Sequence, residues 1–468
     1  MSENYSDVAR HLATRLTSDA PKFRKSASYY DATYRPKAVG VAVPKAMRVL
    51  LAHNGWARVY INALVGRMDL ERFKLEGHAS EIDEVHDWWG ANDMEQQAHL
   101  VHTDLLIYGR AYVTVSAPGP DDVQDVPIVR AESPMNMIAE RDPRTGKIVR
   151  AMRLYKSRSY QDGDRATLYF PGKTVFLKKA SAGSAYGAWD LDTSLDDGEN
   201  IVGGVNEHGG PIPVVEFLNR SRVGDHQGCS EITPDIRSTV DSASRISMNM
   251  AAAAEIMANP QRVFLGVKPE DLVREGGSVL EAYMAEILTV DNPDAKVTQF
   301  QAAELRNYTE VLGELAKQMT SYTGLMPEYF GITSVNPPSA DAIRAGQDRI
   351  IKHVERLNSM VEGDWCMVVR LMREVMGRED SPEWARLDAD WRDPGTPTFS
   401  AMADGVQKLY GDGTNPLVTK RWARRKLRIS DEEIKEMEKE DQQLGATARL
   451  NMLLGDRPDP TDEASEER

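Results

Sequence analysis

The sequence predicts an α+β fold in which long amphipathic helices flank a β-rich middle region. Apolar residues recur at helical spacing through residues 231–258 and 339–376. Short β patterns separated by turn clusters occupy residues 116–225. A loop rich in Gly, Pro and Asn lies between two helical patterns at residues 324–338. A chain of 468 residues can form roughly two to four such domains.

Composition and net charge limit the kinds of function that the sequence supports. Hydrophobic residues make up 41% and charged residues 28%, as in folded soluble proteins. The net charge of −15, from 57 basic and 72 acidic side chains, disfavours tight binding to nucleic acid, which usually needs a basic excess. A channel through which DNA slides can nevertheless be acidic, but from the net charge alone we favour a charge that keeps the protein soluble.

No targeting or membrane segment is expected from the sequence. The N-terminal MSENYSDVAR lacks the basic start and apolar core of a signal peptide, and the apolar runs are far shorter than the roughly 20 residues that span a bilayer. Cys229 and Cys366 provide neither metal-ligand spacing nor a disulfide framework, which favours a reducing cytosol.

The N-terminal part is predicted to be mainly helical. Residues 2–19 show a modest helical pattern, and residues 23–40 resemble a loop-rich segment with aromatic anchors. Gly109 is expected to end a helix, because glycine adopts the left-handed conformation at little cost. The expected elements between residues 50 and 115 are helices at Leu50–Val65, His78–Trp89 and Asn92–Tyr108, and strands at Leu70–Leu75 and Ala111–Val115.

The middle region is predicted to be antiparallel β structure. The strand patterns lie at Ile148–Tyr155, Ala166–Phe170, Thr174–Leu177 and Ile212–Leu218. The acidic segment Asp190–Asn200 superficially resembles a calcium loop, but Leu195 stands where such a loop needs glycine. A solvated hairpin tip is therefore the favoured interpretation.

Two long helices with a small insert between them follow. The first covers residues 231–258, and its apolar stripe includes Ile232, Ile236, Val240, Ala243, Ile246, Met250 and Met257. Residues 261–299 read as a compact α/β insert, and a second helix over 301–322 returns. After the Pro-rich loop a third long helix begins, with Ser339 as its expected cap.

The C-terminal part is predicted to be a β-leaning, Trp-rich stretch followed by a helical segment at residues 398–454. That segment contains the basic run Lys420–Arg428 and then an acidic helix. The run can be a helix face paired with the acidic helix, which we favour, or a phosphate contact. The polar tail at residues 456–468 is expected to be disordered.

Familiar catalytic motifs are missing. There is no P-loop and no GxSxG elbow, and the glycines near Gly411 lack the third member of a dinucleotide-binding loop. His99 and His102 lie three residues apart without a nearby third zinc ligand, so satisfied structural histidines are favoured. We expect no catalytic residue, no metal site and no cofactor.

Five segments in order resemble the portal proteins of tailed bacteriophages, of the siphophage type. The most specific is Leu325–Arg356, which combines Pro, Tyr/Phe-Gly and Asn-Pro-Ser-Ala-Asp-Ala-Ile-Arg features, although Pro338 stands where the family more often has a small polar residue. The others are Tyr29–Asp31, Asp104–Val115, Gly210–Arg220 and Ala258–Gly266.

The resemblance implies a portal fold with a wing, a two-helix stem, a small α/β clip, a tunnel loop and an α-helical crown. It also implies a ring of about twelve subunits at one capsid vertex. The implied regions are the wing at 1–230 and 339–394, the stem helices at 231–258 and 301–325, the clip at 259–300, the tunnel loop at 326–338, and the crown and tail at 395–468.

The resemblance also implies residues and partners. DNA in the channel would pass the tunnel-loop residues Thr333, Ser334, Val335, Asn336 and Pro337. The clip would face the terminase large subunit and later the head-tail adaptor, through residues such as Gln261, Arg262, Lys268 and Lys296. Crown residues that could touch DNA are Lys420, Arg421, Arg424, Arg425, Lys426 and Arg428.

Other implied partners are the major capsid protein and a scaffold, and the implied location is the virion, after assembly in the host cytoplasm. Two alternatives belong to other classes. A phage-encoded metal-dependent nuclease or other DNA-processing enzyme would use clustered carboxylates and require a divalent metal. A shell-forming capsid protein would build closed polyhedra, and the paired helices around a small insert argue against it.

Overall fold

The structure is a computed structural model that describes most of the chain. For residues 255–258, 262–265, 296–299 and 340–344 it describes the backbone alone. The described residues are 4–35, 53–119, 125–155, 164–179, 188–258, 262–265, 296–299, 305–332, 339–379, 381–395, 397–411, 416–429 and 433–444.

Helices and strands mix along the chain, which confirms the α+β class. The helices are α1 Tyr5–Tyr30, α2 Trp56–Val65, α3 Ala79–Ala91, α4 Met94–Tyr108, α5 Pro234–Ala258, α6 Arg306–Thr323, α7 Ala340–Val375, α8 Phe399–Tyr410, α9 Lys420–Lys426 and α10 433–444. The strands are β1 Leu70–Lys74, β2 Arg110–Ser116, β3 Ile128–Glu132, β4 Met137–Arg141, β5 Ile148–Tyr155, β6 Arg165–Phe170, β7 Lys173–Lys179, β8 Trp189–Leu191, β9 Ile201–Val202, β10 Val205–Asn206, β11 Val214–Leu218, β12 Arg262–Leu265, β13 Lys296–Gln299 and β14 Asp388–Trp391.

The strands in the described residues form four antiparallel sheets. The largest has the order β4-β5-β6-β7-β10-β9, with β8 also paired to β7. A three-stranded sheet has the order β11-β2-β3, while β1 pairs with β14 and β12 with β13. The predicted strands of the middle region are all present. β3 and β4 were not predicted, because their short sequences mix apolar residues with arginine and glutamate.

The prediction of a loop at residues 23–40 is wrong for its first part, because α1 continues to Tyr30. Phe23 and Tyr29 are both 2% exposed and lie on one face of the helix. The Phe23 ring packs edge-on against Tyr108, with centroids 5.6 Å apart, and the Tyr29 hydroxyl donates to Asp241 at 3.0 Å. Tertiary burial therefore extends a helix that its polar sequence does not predict.

The helix predicted at Leu50–Val65 begins only at Trp56. Residues 53–55 are not helical, and the Asn54 side chain accepts a hydrogen bond from the Trp56 amide at 2.9 Å.

The helix that was predicted to end at Gly109 does end there. Gly109 has φ 88° and donates its amide to Leu105 O at 2.8 Å.

Three apolar clusters lie in the described part of residues 1–395, and two of them bear on the position of the hairpin. The first half of α1 packs on the large sheet through Val8, Leu12 and Leu16, against residues such as Leu168 and Val175. The larger core collects α2–α4, β2, β11, the start of α5, the end of α6, and α7. This core fixes the base of the helical hairpin, because both hairpin ends and α7 contribute to it.

His102 lies in the core, as expected of a structural histidine, although its Nδ1 has no hydrogen-bond partner among the described residues. It is 1% exposed, and its Nε2 accepts a hydrogen bond from Trp365 Nε1 at 3.0 Å. Burial lowers the pKa of His102 to about 3, so the ring is neutral near pH 7.

By backbone contacts the chain divides into two compact units, Met1–Gly395 and Thr396–Arg468. The second unit contains α8, α9 and α10, where a helical segment was predicted at 398–454. Thr398 and Thr419 begin α8 and α9 by accepting from the amides of Ala401 and Trp422. No helix in the described part of the chain is long and apolar enough to cross a membrane.

Candidate functional site: the helical hairpin and its base

Helices α5 and α6 form the hairpin. Along α5 the predicted stripe is buried at Ile236, Val240 and Ala243, while Ile246 and Met250 are half-buried. On α6, Ala316, Met319 and Thr323 are the buried residues. Between the two helices in chain order, β12 pairs with β13 in an antiparallel ladder.

The start of α5 is tied to the end of α4. The Glu231 amide donates to Leu106 O at 2.8 Å, and the Ser230 hydroxyl donates to the same carbonyl at 3.4 Å. The Ile232 amide in turn donates to Ser230 Oγ at 3.1 Å. The residues that lead into α5 are therefore fixed to the end of α4.

The Glu231 carboxylate, 12% exposed, accepts hydrogen bonds from three elements. Tyr60 of α2 donates its hydroxyl at 3.1 Å, and Asn219, just after β11, donates Nδ2 at 2.9 Å. His353 of α7 lies with Nε2 at 3.2 Å, and Arg356 lies one turn further with Nη2 at 3.9 Å. One largely buried carboxylate, three residues before α5 begins, thus connects the segment that leads into α5 to α2, the end of β11 and α7.

Electrostatics keep this carboxylate ionised. Burial alone would raise the pKa of Glu231, but hydrogen bonds from His353, Asn219 and Tyr60 outweigh it, so the pKa is lowered. Burial and the Glu231 charge both raise the pKa of Tyr60 well above its ordinary value, so its hydroxyl keeps the proton that it donates.

The end of α6 is also tied to α7. Gly324, with φ 71°, ends α6 and donates its amide to Thr320 O at 2.9 Å. Arg349 of α7 donates Nη1 to Ser321 O at 2.7 Å. A Cβ on Gly324 would lie 3.1 Å from Cγ and Cδ of Arg349, so glycine lets the arginine side chain lie against the turn.

The residues after Gly324 continue into an anchored turn. Pro327–Phe330 forms a single 3-10 turn that ends at Gly331, which has φ 83°. The Phe330 ring packs edge-on against Trp56 at 5.8 Å, and Tyr329 Oη accepts a hydrogen bond from Arg67 at 3.2 Å. This turn is therefore fixed to α2 and to the residues just after it.

The tunnel-loop residues predicted from the resemblance, Thr333–Pro337, lie outside the described residues. So do Gln261 and Lys268 of the predicted clip. Arg262 and Lys296 lie at opposite ends of the β12–β13 ladder, where Arg262 pairs with Gln299 and Lys296 with Leu265. Their backbones alone are described, so the ladder positions them without showing which face they present.

The predicted basic residues of the C-terminal unit lie on α9 and just after it. Lys420 and Arg424 both contact Asp441, at 3.4 and 2.8 Å, and Arg421 lies 3.5 Å from Glu438. Lys426 lies 5.8 Å from the Trp422 ring centroid. Arg425 is also on α9, and Arg428 follows it with φ 62°. Lys420, Arg421 and Arg424 therefore pair with the acidic helix α10.

The acidic segment between β8 and β9 is organised by its own backbone. The Asp197 carboxylate accepts from the amides of Glu199, Asn200 and Ile201, and Asp196 accepts from Gly203 and Gly204. Among the described residues, no group of three His, Cys, Asp or Glu side chains could hold a metal ion.

The sequence did not indicate the contacts that Glu231, Arg349 and His353 make at the base of the hairpin. The signal that could have found part of it is the spacing of Arg349, His353 and Arg356, which places three basic side chains on one side of a helix. The partners lie 28 and 122 residues away, so no local pattern reveals them.

The hairpin α5–α6, the turn at Pro327–Phe330 and the helices α8–α10 follow one another along the chain. The family model described as "Phage portal protein, SPP1 Gp6-like" matches residues 10–445. The chain therefore belongs to the phage portal proteins, which are structural components of the capsid vertex and of the virion.

Two curated relatives are similar over most of the chain. The portal protein of Mycobacterium phage L5 is 41% identical over 472 residues, covering 97% of this chain and 94% of the relative. The portal protein of Mycobacterium phage D29 is 39% identical over 450 residues, covering 94% and 89%. The solved neck of an empty gene transfer agent particle is 13% identical with a TM-score of 0.47, covering 82% of this chain and 93% of that one.

Proposed function

We propose that this chain assembles into a closed ring of about twelve subunits at one capsid vertex, with DNA passing through its centre during packaging and ejection. The observation that carries the proposal is family membership over residues 10–445, together with a helical hairpin that leads into a loop anchored at its base. Head-to-tail contacts between identical subunits form a ring when their rotation closes.

The parts of the chain then take distinct roles. The hairpin α5–α6 is the stem, and Thr333–Pro337 line the narrowest part of the channel. The ladder β12–β13, with Arg262 and Lys296, belongs to the clip, which docks the terminase large subunit during packaging and the head-tail adaptor afterwards. The major capsid protein surrounds the ring, and a scaffold assists its incorporation in the host cytoplasm.

The chain contributes no catalytic step in this proposal, and ATP hydrolysis belongs to the terminase. The net charge of −15 supports a conduit, because DNA phosphates slide past an acidic protein without being retained. The basic run on α9 stabilises the C-terminal unit rather than binding DNA, since Lys420, Arg421 and Arg424 contact acidic side chains of α10.

Deletion of Thr333–Asn336 tests the proposal. The variant is expected to form rings, because the loop base at Leu325–Ile332 is anchored independently, and to fail in packaging or retaining DNA. Ring formation is read by electron microscopy and DNA content by nuclease-protected DNA per head. Loss of rings, or DNA content equal to the wild type, would contradict the assignment of the loop.

A further inference from the structure

The basic run Lys420–Arg428 has no role in the proposed function beyond the stability of the C-terminal unit. It carries six cations within nine residues, in a chain whose net charge is −15. Such a cluster of Lys and Arg along a helix is the usual pattern for contact with nucleic-acid phosphates. In the folded chain, however, carboxylates of the same protein lie against the run.

Two carboxylates of α10 contact the basic run. Asp441 lies 2.8 Å from Arg424 and 3.4 Å from Lys420. Glu438 lies 3.5 Å from Arg421. Because Glu438 and Asp441 are three residues apart, they lie on the same side of α10. The Arg424 side chain is only 18% exposed. One side of α10 therefore lies over three cations of the run.

The charge of α10 suits this position. The described part of the helix, residues 433–444, has five acidic and two basic side chains, a net charge of −3. The hydrogen bond from Arg424 lowers the pKa of Asp441, and Lys420 adds to the shift, so the carboxylate is ionised at neutral pH. The helix thus offers the basic run the same sign of charge that a DNA backbone would.

The C-terminal unit holds α10 by more than ion pairs. Ile434 of α10 is fully buried, and the burial of an apolar side chain is not weakened by salt screening. DNA binding through Lys and Arg, in contrast, falls steeply as salt rises, because it is driven by the release of counterions. A helix of the same chain also competes at a high effective concentration. At physiological salt α10 is therefore the stronger partner of these cations.

We propose that α10 is an intramolecular shield, in which Glu438 and Asp441 occupy cations that would otherwise bind the phosphates of duplex DNA. The shield keeps the C-terminal unit from retaining DNA. This inference gives α10 a role that the proposed function does not, and it rests on that function for the DNA that passes the protein. It implies that the folded chain contains a covered DNA-binding surface, which the loss of two carboxylates uncovers.

The experiment measures binding of the purified full chain to a short fluorescent DNA duplex of mixed sequence by anisotropy. The test variant is Glu438→Gln/Asp441→Asn. At about 50 mM salt it is expected to bind DNA roughly tenfold more tightly than the wild type or better. Its affinity should also fall more steeply with salt, by about 2 to 3 in the logarithmic slope, since each phosphate contact contributes about 0.9. Asp441→Asn alone keeps the contact of Glu438 and should give an intermediate affinity.

The double variant Asp7→Asn/Asp348→Asn is the matched control. The two carboxylates are 60% and 62% exposed, and each pairs with a cation of its own helix, Arg10 and Lys352. The control therefore changes the net charge by the same amount and frees two cations outside the basic run. It is expected to bind DNA no more tightly than the wild type.

A second comparison locates the DNA on the protein. Adding Arg421→Gln/Arg424→Gln to the test variant removes two of the uncovered cations. Binding is then expected to return to the wild-type level, because the phosphates have lost their partners on α9.

The outcomes separate the inference from the proposed function. Equal DNA affinity of the test and control variants would overturn the shield, as would a wild type that binds as tightly as the test variant. Tight binding that persists after Arg421→Gln/Arg424→Gln would also overturn it, because the DNA would then lie elsewhere. The proposed function fails separately, if the wild-type chain in filled heads forms no ring, since the binding measurement requires no capsid.

Discussion

Gly109 and Gly228 meet backbone to backbone where the end of α4 lies against the segment that leads into α5. Gly109 O accepts the Asn219 amide at 2.9 Å, and the Cys229 amide donates to Asn219 O at 2.8 Å. Both glycines have positive φ, 88° and 74°. A Cβ on Gly109 would lie 2.6 Å from Cys229 N, and a Cβ on Gly228 would overlap the Gly109 carbonyl. Only glycine allows the chain before Glu231 to lie this close to the end of α4.

Gly228→Ala is accordingly expected to destabilise the protein by about 3 kcal/mol or more, because it adds a backbone clash to left-handed strain. The measurement is urea unfolding at fixed protein concentration. Gly146→Ala is the control, since Gly146 has φ 69° with no atom within 4 Å of the added Cβ. It should cost only about 1 to 2 kcal/mol. Equal losses for the two variants would contradict the importance of the close approach.

The contribution of His78 to the free energy of unfolding is expected to fall as pH rises. Its Nδ1 and Nε2 lie 2.8 Å from Glu81 and 2.6 Å from Glu383, so both nitrogens donate when the ring is protonated. Hydrogen bonds to Glu81 and then Glu383 raise the pKa of His78 above 6.5 in the folded chain. The stabilisation is therefore full below pH 6.5 and is lost as pH rises through the raised pKa.

The free-energy difference between wild type and His78→Gln is expected to shrink as pH rises from about 6 to 9. Urea unfolding at a series of pH values measures it. A difference that stays constant, or grows with pH, would show that His78 is not held as an imidazolium by the two carboxylates.

Asp364 on α7 is expected to destabilise the folded protein when its carboxyl is ionised. Burial raises its pKa to about 7, with Arg141 opposing the shift and Glu216 adding to it. A carboxyl with a raised folded pKa stabilises below its unfolded pKa of 3.8 and loses that contribution as pH rises to about 7.

Asp364→Asn is therefore predicted to stabilise the protein at pH 8 by about 1 to 3 kcal/mol, with a smaller gain at pH 5. Asp348→Asn, at a carboxylate 62% exposed, is the control and should change stability by about 0.5 kcal/mol or less. A neutral or destabilising effect of Asp364→Asn at pH 8, in a variant that still assembles into rings and keeps its secondary structure, would contradict this role of Asp364.

The spacing of apolar residues predicted those helices whose buried side can be recognised from the local sequence. Ile236, Val240 and Ala243 are buried where the helical pattern placed them, and Gly109 ends α4 as expected. The extension of α1 to Tyr30 could not be predicted, because it depends on packing of Phe23 against Tyr108, far along the chain.

The candidate site likewise has parts that the sequence predicts and contacts that it does not. The two hairpin helices and the turn after Gly324 follow from sequence, since each has a local signal. The contacts that fix them do not, because Arg349 meets a backbone carbonyl of another helix and Glu231 gathers side chains from α2, the end of β11 and α7. A backbone acceptor has no sequence signature, and a lone glutamate is one of 72 acidic residues.

The most direct test of the portal account is the state of the full chain, both purified alone and extracted from filled heads. Negative-stain electron microscopy and native mass spectrometry on the same samples show shape and subunit number together. The account predicts closed rings with a central hole and a mass of about twelve subunits, at the least in the extracted sample. A monomer or an open filament in both samples would contradict it.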